Sequence, residues 1–394
     1  MKYISRVVWI LSLVSLFTDT ASEMLYPIMP LYLQQIGFSV LYIGILEGIA
    51  EAVAGLSKGY FGKWSDNVGR RVPFVRLGYS LSALAKPLLA VFSYPLWIFS
   101  ARTLDRLGKG IRTAARDALL AEEATPSTKA RVFGFHRSMD TLGAVLGPLF
   151  ALAYLYFYPE DYRTLFLLAF LPGLLAIAAT FFLSEKTNAA HKTNLQPPKF
   201  GDFLDYWQKS PLAYRKLLIG LLFFTLLNSS DMFLMLKLKE MSWSDSQLIG
   251  VYIFYNLVYA LFAFPLGMLA DKWGIKKIFL LGLCVYALVY VGMGANGSHF
   301  IVWGLFCLYG LYVAATESLA KAWVSEVVTE KQTMATAMGT LSAMQSIAGM
   351  LGSVLMGAMW YAWGSSWAFV LTGVLVLLVV GYFWVAVPMV GERN

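Results

Sequence analysis

The chain has 394 residues, of which 58% are hydrophobic and only 14% are charged. A soluble globular chain carries about 25% charged and about 45–50% apolar residues, so this composition excludes an ordinary soluble domain and predicts a polytopic membrane protein. The net charge of +8 comes from basic residues gathered in alternate loops. No basic–aromatic pattern typical of nucleic-acid binding accompanies it, so we expect no nucleic-acid partner.

Twelve runs are apolar and long enough to cross a bilayer, which takes about 20 mainly apolar residues. Only helices satisfy the backbone in such spans here, because no alternating barrel pattern is present, so we predict an all-α membrane protein. The predicted spans are 7–32, 41–61, 72–92, 95–120, 131–157, 164–183, 216–238, 247–269, 276–296, 300–323, 333–362 and 366–388.

Lys and Arg indicate the orientation of these spans. They precede the first span and follow the second, fourth and eighth, whereas the connections 33–41, 93–95 and 295–299 are nearly free of them. The positive-inside rule therefore places both termini in the cytoplasm. The connection between the seventh and eighth spans, with Lys237 and Lys239, is the exception.

Residues 184–215 form the longest polar connection and divide the chain into two halves of six spans, 1–183 and 216–394. We interpret this connection as a solvated cytoplasmic linker. The alternative is that residues 201–207 form a short surface helix.

The fourth span carries an unusual density of charge. Arg102, Asp105, Arg106 and Lys109 are spaced i, i+3, i+4 and i+7, so a helix places them on one face. Charges at membrane depth are costly unless they are paired or face a wet cavity. We therefore predict that this stripe lines the cavity of a transporter.

Carboxylic acids occur in several other spans. The four acids of the adjacent first and second spans cannot all stay ionised in a low dielectric without partners, so we expect at least one to take up and release a proton during a transport cycle. The alternative, compatible with the first, is that they neutralise Arg76, Lys86, Arg102 or Arg106. The acids are Asp19 and Glu23 in the first span, Glu47 and Glu51 in the second, Asp140 in the fifth and Asp231 in the seventh.

The loop after the second span recurs after the eighth at a shift of 205 residues. Internal repeats of this kind are typical of membrane transporters. The Asp of the repeated loop is suited to cap the next helix or to pair with a cation on a neighbouring one. The shift matches Gly62, Asp66 and Gly69 with Gly267, Asp271 and Gly274, Gly134 with Gly339, Asp140 with Gln345, and Gly147 with Gly352.

The repeated loop, Gly-x3-Asp-x2-Gly followed by Arg70 and Arg71, resembles the signature between helices two and three of the major facilitator superfamily, although Asn67 replaces the usual basic residue. Gly143-x3-Gly147-Pro148 resembles the antiporter motif of that superfamily's drug-export branch, without its trailing glycines. Residues 17–24 and 105–118 resemble little-characterised bacterial permeases. This resemblance implies two six-helix bundles that rock about a site at the membrane midplane.

The repeat separates two kinds of candidate residue. Arg112 and Arg116 align with Glu317 and Lys321, so we assign the cytoplasmic end of the charged stretch to an inner gate. Between Glu317 and Lys321 we expect a salt bridge within one helix. The deep stripe from Arg102 to Lys109 has no charged counterpart in the second half, which favours a substrate or coupling site. The gate candidates are Gly62, Asp66, Gly69, Arg70, Arg71, Arg112, Arg116, Gly267, Asp271, Gly274, Glu317 and Lys321.

These features favour a secondary active transporter of a small molecule, coupled to protons, with efflux by antiport as the preferred direction. The cations of the fourth span indicate an anionic or zwitterionic substrate, and a proton-coupled symporter importing such a compound fits equally well. A receptor would need an appended soluble domain, which we do not expect, and no catalytic triad or nucleotide loop indicates an enzyme. We expect a monomer in the bacterial cell membrane with no cofactor or metal, since the two Cys and three His are scattered.

Overall fold

The computed structural model describes residues 4–26, 28–29, 32–33, 36–37, 40–184, 196–199, 201–295 and 298–387, leaving out the side chains of 40–48, 51, 245, 246 and 249. Every element in these ranges is helical, as the apolar spans predict. The helices of the first half are α1 (Arg6–Glu23), α2 (Val40–Val68), α3 (Val72–Val91), α4 (Pro95–Glu123), α5 (Lys129–Phe157), α6 (Tyr162–Leu168) and α7 (Phe170–Thr180).

The second half continues the same pattern after the linker. A short 3-10 turn, Lys331–Thr333, leads into the longest of its helices. These helices are α8 (Tyr206–Lys209), α9 (Leu212–Leu227), α10 (Met232–Glu240), α11 (Asp245–Trp273), α12 (Ile275–Gly294), α13 (His299–Val327), α14 (Met334–Trp363) and α15 (Ser365–Ala386).

Within the described ranges, nine helical stretches are long and apolar enough to cross a membrane. The predicted all-α membrane fold is therefore confirmed. The remaining predicted spans correspond to α1, α2 and the strongly charged α4. The count of twelve spans and the cytoplasmic termini stay predictions.

Two predicted spans are each divided into two helices: 164–183 at Ala169, between α6 and α7, and 216–238 in its middle. The run 216–238 was expected to form one helix, but α9 ends at Leu227 and α10 begins at Met232. The intervening residues are Asn, Ser, Ser and Asp, whose side chains compete for backbone hydrogen bonds and favour helix ends over helix interiors. The interruption places Asp231 at the start of α10.

Contacts group the chain into two compact units. Unit 1 comprises Met1–Glu123, Met139–Tyr206 and Glu330–Ala343, and unit 2 comprises Ala124–Ser138, Trp207–Thr329 and Met344–Asn394. The start of α5 thus packs within unit 2, and the start of α14 packs within unit 1. The predicted halves follow the sequence repeat rather than these contacts, and their boundaries stay a prediction.

Glycines set the close helix packing that shapes unit 1. A Cβ atom on Gly78 of α3 would lie 2.6 Å from the carbonyl oxygen of Gly108 on α4, so only glycine permits this approach. Gly143 and Gly147 of α5 have the same role against α1, where added Cβ atoms would lie 2.5 Å from Leu16 O and 2.6 Å from Thr20 O. These two contacts bring the polar residues of α1, α3, α4 and α5 together.

Candidate functional site

A pocket of about 370 Å³, including its open mouth, lies within unit 1 between α1, α3 and α4. It contains four of the residues predicted from sequence to line a transport cavity: Glu23, Arg102, Asp105 and Arg106. Its full lining is Ser22, Glu23, Leu25, Tyr26, Ala85, Lys86, Leu89, Arg102, Asp105 and Arg106.

Lys86 is the pocket residue that the sequence analysis named only as a cation for the membrane acids to neutralise. The residue is 2% exposed, and its Nζ donates to Ser82 O at 3.0 Å and pairs with Asp105 Oδ1 at 3.4 Å. Ser82 Oγ in turn donates to the backbone oxygen of Asp105 at 3.0 Å. The close approach of α3 and α4 at Gly78 and Gly108 makes these bonds possible. The sequence signal that could have identified Lys86 is that it is the only lysine in the predicted third span.

The pocket combines charge with an apolar floor. Three cations, Lys86, Arg102 and Arg106, face two carboxylates, Glu23 and Asp105, so the lining carries one more positive than negative charge. The apolar side is built by side chains that belong to the hydrophobic core of unit 1, among them Leu25 and Leu89. Guanidinium groups bind carboxylates in bidentate fashion, and an apolar wall accepts the carbon skeleton of the same molecule.

A second polar cluster of unit 1 lies where α5 crosses α1. The Asp19 and Asp140 carboxyls are neighbours, and Ser15 Oγ donates to Asp140 Oδ1. Neighbouring carboxyl groups form a hydrogen bond with one another only when one of them carries a proton, because an ionised carboxylate only accepts. Lys109 and Glu23 face Asp19, while Arg116 faces Asp140.

The other predicted cavity acids lie elsewhere. Asp231 belongs to unit 2, where Tyr255 Oη and Tyr309 Oη donate to its two carboxylate oxygens at 2.7 and 2.6 Å. The side chains of Glu47 and Glu51 lie outside the described residues. Of the ten predicted cavity residues, the structure therefore gathers four in the pocket and three more, Asp19, Lys109 and Asp140, in the adjoining cluster of unit 1.

The predicted gate aspartates both cap helices, but not the next helix along the chain. In unit 1, Asp66 accepts from the backbone N–H groups of Ala335 and Thr336 at 3.3 and 2.6 Å, at the start of α14. In unit 2, Asp271 accepts from those of Ala130 and Arg131 at 2.9 and 3.2 Å, at the start of α5. The capped residues are themselves related by the shift of 205, so the sequence repeat is also a repeat of contacts.

Each capping aspartate has a cationic partner of different origin. Arg71, from the same loop as Asp66, donates to it at 2.9 Å and also contacts Glu122 and Lys331 O. Arg131, from the capped helix itself, donates to Asp271 at 2.7 Å. Burial raises the pKa of the Asp66 carboxyl, and Arg71 and Thr336 oppose that rise.

The glycines of both gate loops lie where a side chain would clash or where the φ angle is positive. A Cβ atom on Gly62 would lie 2.5 Å from Ala335 O, and one on Gly267 would lie 2.6 Å from Ala130 O. Gly69 and Gly274 have positive φ angles of 67° and 98°, which favour glycine. Arg70, which follows Gly69 in the chain, is exposed.

The remaining gate candidates have partners that the sequence did not reveal. Arg112 donates to Ser82 Oγ and stacks on the Tyr79 ring, and Arg116 pairs with Asp117 at 2.9 Å. In unit 2, Glu317 pairs with Arg137 at 2.6 Å and accepts from Tyr259 Oη at 2.7 Å. The predicted Glu317–Lys321 salt bridge overlooked Arg137, because that residue is far away in sequence. The transport roles of all these residues stay predictions.

The family model for the Major Facilitator Superfamily matches residues 11–254 and 217–393, which together span nearly the whole chain. The chain belongs to the major facilitator superfamily. The resemblance seen in the repeated loop is thereby confirmed, and so is the expectation of a multi-pass protein of the cell membrane. The family is one of transporters, which act on small molecules within the membrane.

Similar proteins match this chain over more than nine-tenths of its length. An uncharacterised MFS-type transporter of Methanocaldococcus jannaschii is 31% identical over 96% of both chains. The multidrug resistance protein MdtG of Proteus mirabilis is 27% identical over 94% of this chain and 92% of its own. The crystal structure of the human organic anion transporter MFSD10 shares the fold, with a TM-score of 0.80 and 16% identity over 96% of this chain and 98% of that one.

Proposed function

We propose that this protein is a secondary active transporter that carries a small organic anion or zwitterion by alternating access, coupled to protons, with efflux as the favoured direction. The observation that carries the proposal is the pocket of unit 1. It sets Arg102, Arg106 and Lys86 beside an apolar wall, with Glu23 at its edge.

The substrate class follows from this chemistry. Lys86 pairs with Asp105 at 3.4 Å, and the guanidinium groups of Arg102 and Arg106 line the same pocket as the Glu23 carboxyl. Guanidinium groups suit a carboxylate or a related planar anion, and Glu23 suits an ammonium group on the same molecule. The names of the relatives, an organic anion transporter and a multidrug resistance protein, support an amphipathic substrate.

Coupling to protons is supported by the Asp19–Asp140 pair. A proton held between the two carboxyls can be released only if the pair separates or gains a compensating cation. Glu23, in the pocket, lies one helical turn after Asp19 on α1, so a shift of α1 that changes one site also changes the other. Such a shared element links protonation to substrate binding.

Efflux is favoured by the motif Gly143-x3-Gly147-Pro148, whose glycines hold α5 directly against α1 at the carboxyl pair. Proton-coupled import of the same class of compound is the second candidate, since the pocket chemistry suits either direction. The sidedness of transport distinguishes them. Efflux requires that an inward-directed proton gradient drive the substrate out of the compartment that corresponds to the cytoplasm.

Flux in proteoliposomes tests the substrate site. A panel of labelled organic anions, zwitterions and cations is presented with and without a pH gradient, and an ionophore that collapses the gradient serves as the control. We expect anions or zwitterions to be carried and Arg102→Ala or Arg106→Ala to lower their flux about 100-fold, the loss of one buried ionic contact of about 2.7 kcal/mol. Arg76→Ala is the matched control, because Arg76 lies outside the pocket lining and donates to the backbone oxygens of Thr180 and Leu183. Wild-type flux in both pocket variants would reject the site.

Proton coupling is tested separately, by comparing gradient-driven accumulation with substrate exchange. Asp19→Asn and Asp140→Asn are expected to abolish accumulation driven by a pH gradient, while exchange of labelled for unlabelled substrate continues. This pattern arises because exchange needs a binding site but no net proton movement. Loss of both activities would instead assign the pair to structure, and retention of both would reject proton coupling through it.

A further inference from the structure

The linker, expected to be solvated, places one aromatic ring in the interior of unit 1. Phe203 is 3% exposed, and its ring lies against Gly59 of α2, where an added Cβ atom would be 2.6 Å from the ring. Gly59 therefore provides the space that the ring occupies. Phe203 and Tyr206 are therefore buried within a connection that was predicted to be solvated, and Tyr206 begins the short helix α8.

Polar bonds fasten the same segment to two helices. Thr340 Oγ1 of α14 donates to Phe203 O at 3.0 Å, and Lys63 Nζ of α2 donates to Asp202 O at 3.2 Å. Tyr206 makes a side-chain hydrogen bond with Thr333, just before α14. Residues 202–206 thus bind both the end of α2 and the start of α14, the two elements that the Asp66 cap joins.

The repeat shows what fills the same place in unit 2. At the shift of 205, Gly59 corresponds to Phe264 and Thr340 corresponds to Phe135. Those two rings pack edge to face, with centroids 5.6 Å apart and an interplanar angle of 75°. In unit 2 the position is therefore filled by Phe135 of the capped helix α5 and by Phe264 of α11. In unit 1 the corresponding residues are Thr340 and Gly59, and the ring that fills the position is Phe203 of the linker.

We infer that Phe203 is a removable plug, and that the linker regulates how readily the start of α14 leaves α2. A ring carried by the helices themselves stays with them, but a ring carried by a connecting segment can be withdrawn without unfolding either helix. The contact of unit 1 is then adjustable by the linker, and the equivalent contact of unit 2 is not. The inference rests on the proposed alternating access for its role in transport, but its test needs no substrate.

Hydrogen exchange followed by mass spectrometry measures this contact directly. The N–H groups of Ala335 and Thr336 are bonded to Asp66, and those of Ala130 and Arg131 are bonded to Asp271. Their exchange reports local opening of each cap. We expect Phe203→Ala to accelerate exchange in the segment 334–343 about tenfold or more, the effect of losing a well-packed buried ring, and to leave 129–138 unchanged.

Two further variants keep the result interpretable. Leu204→Ala alters an exposed neighbour in the same segment and should leave both exchange rates at wild-type values. Gly59→Ala should accelerate the segment 334–343 in the wild-type chain by expelling the ring, but should add nothing in the Phe203→Ala background.

Three outcomes would overturn the inference. These are unchanged exchange at 334–343 in Phe203→Ala, equal acceleration of 129–138, which would indicate general destabilisation, and additive effects of Gly59→Ala and Phe203→Ala. Because no substrate or proton gradient is present, these outcomes are independent of whether the proposed substrate class is correct.

Discussion

Two aspartates at equivalent positions of the repeat perform the same task with different surroundings. Asp66 of unit 1 caps α14 and is supported by Arg71 from its own loop and by the Thr336 hydroxyl. Asp271 of unit 2 caps α5 and is supported by Arg131 of that same helix. Duplication thus preserved the backbone contact, whereas the side chains that strengthen or release it diverged.

The same divergence separates the buried polar groups of the two units. Unit 1 carries ion pairs and paired carboxyls between α1, α3, α4 and α5. Unit 2 surrounds one carboxylate, Asp231, with tyrosine hydroxyls. A scaffold that must move symmetrically needs matched caps, but binding and coupling need chemistry in specific places. The proposed substrate pocket and the neighbouring pair of carboxyls both belong to unit 1.

The largest expected difference in the free energy of unfolding is between Asp66→Ala and Asp271→Ala. Asp66→Ala removes a helix cap and leaves the buried Arg71 without that carboxylate, a loss of roughly 3–5 kcal/mol when a buried pair is broken. Asp271→Ala should cost less, about 1–2 kcal/mol, because Arg131 is more exposed. Thermal unfolding in detergent measures both, and Asp66→Ala/Arg71→Ala should recover part of the loss. Equal losses in the two single variants would contradict the comparison.

The buried pair of the pocket gives the next effect. Lys86→Met alone should lower stability by about 3 kcal/mol, because Asp105 then stays in the pocket without its ammonium partner. Lys86→Met/Asp105→Asn should cost less than Lys86→Met alone, since the repeat shows that unit 2 has Val291 and Gly310 at these positions. Unfolding of the wild type, Lys86→Met, Asp105→Asn and the double variant forms a double-mutant cycle. Strict additivity would mean that the two side chains do not interact.

A smaller loss is expected at Asp231. Tyr309→Phe removes one of the two tyrosine donors and leaves a carboxylate oxygen short of a hydrogen bond, at a cost of about 1–2 kcal/mol. Tyr255→Phe should cost about the same, because its hydroxyl makes an equivalent bond to the other oxygen. Thermal melts of both variants in an Asp231→Asn background provide the check. The loss of stability should be smaller in that background. A loss of unchanged size would show that the tyrosine hydroxyls do not act through Asp231.

The smallest effect concerns pH at a connecting loop of unit 1. Asp161 accepts from Tyr154 Oη and Thr164 N at 2.8 and 3.2 Å, and these bonds lower the pKa of its carboxyl, Tyr154 most. A lowered pKa means that the stabilisation is present above the ordinary pKa of 3.8 and is lost as pH falls through the lower folded value. The equivalent position of unit 2 is Ser366, which does not titrate in this range.

Melting temperatures of the wild type and Asp161→Asn check this point. Their small difference should be constant from neutral pH down to about pH 5 and should vanish in strong acid. Ser366→Ala supplies the comparison for unit 2, and its difference from the wild type should not change over the same range. A difference for Asp161→Asn that grows as pH falls would contradict the sign of the pKa shift.

Much of the fold could be predicted because its signals are local. Apolar runs give the membrane class, and the four charged residues of α4 fall on one face through helix periodicity alone. Three of those four line the pocket with Glu23. The interruption at 228–231 was missed although its Asn-Ser-Ser-Asp sequence favours helix ends, because hydropathy outweighed that signal. Lys86 was undervalued because its partner Asp105 lies on another helix.

The sequence by itself determined the class, the repeat and the superfamily, because composition, helical periodicity and a duplicated loop are properties of short stretches. Only the tertiary structure decided which residues meet. Asp66 caps a helix that begins about 270 residues later, Glu317 pairs with Arg137, and Phe203 fills the space left by Gly59. Such contacts depend on how the helices pack, and packing is set by many weak interactions at once rather than by any single motif.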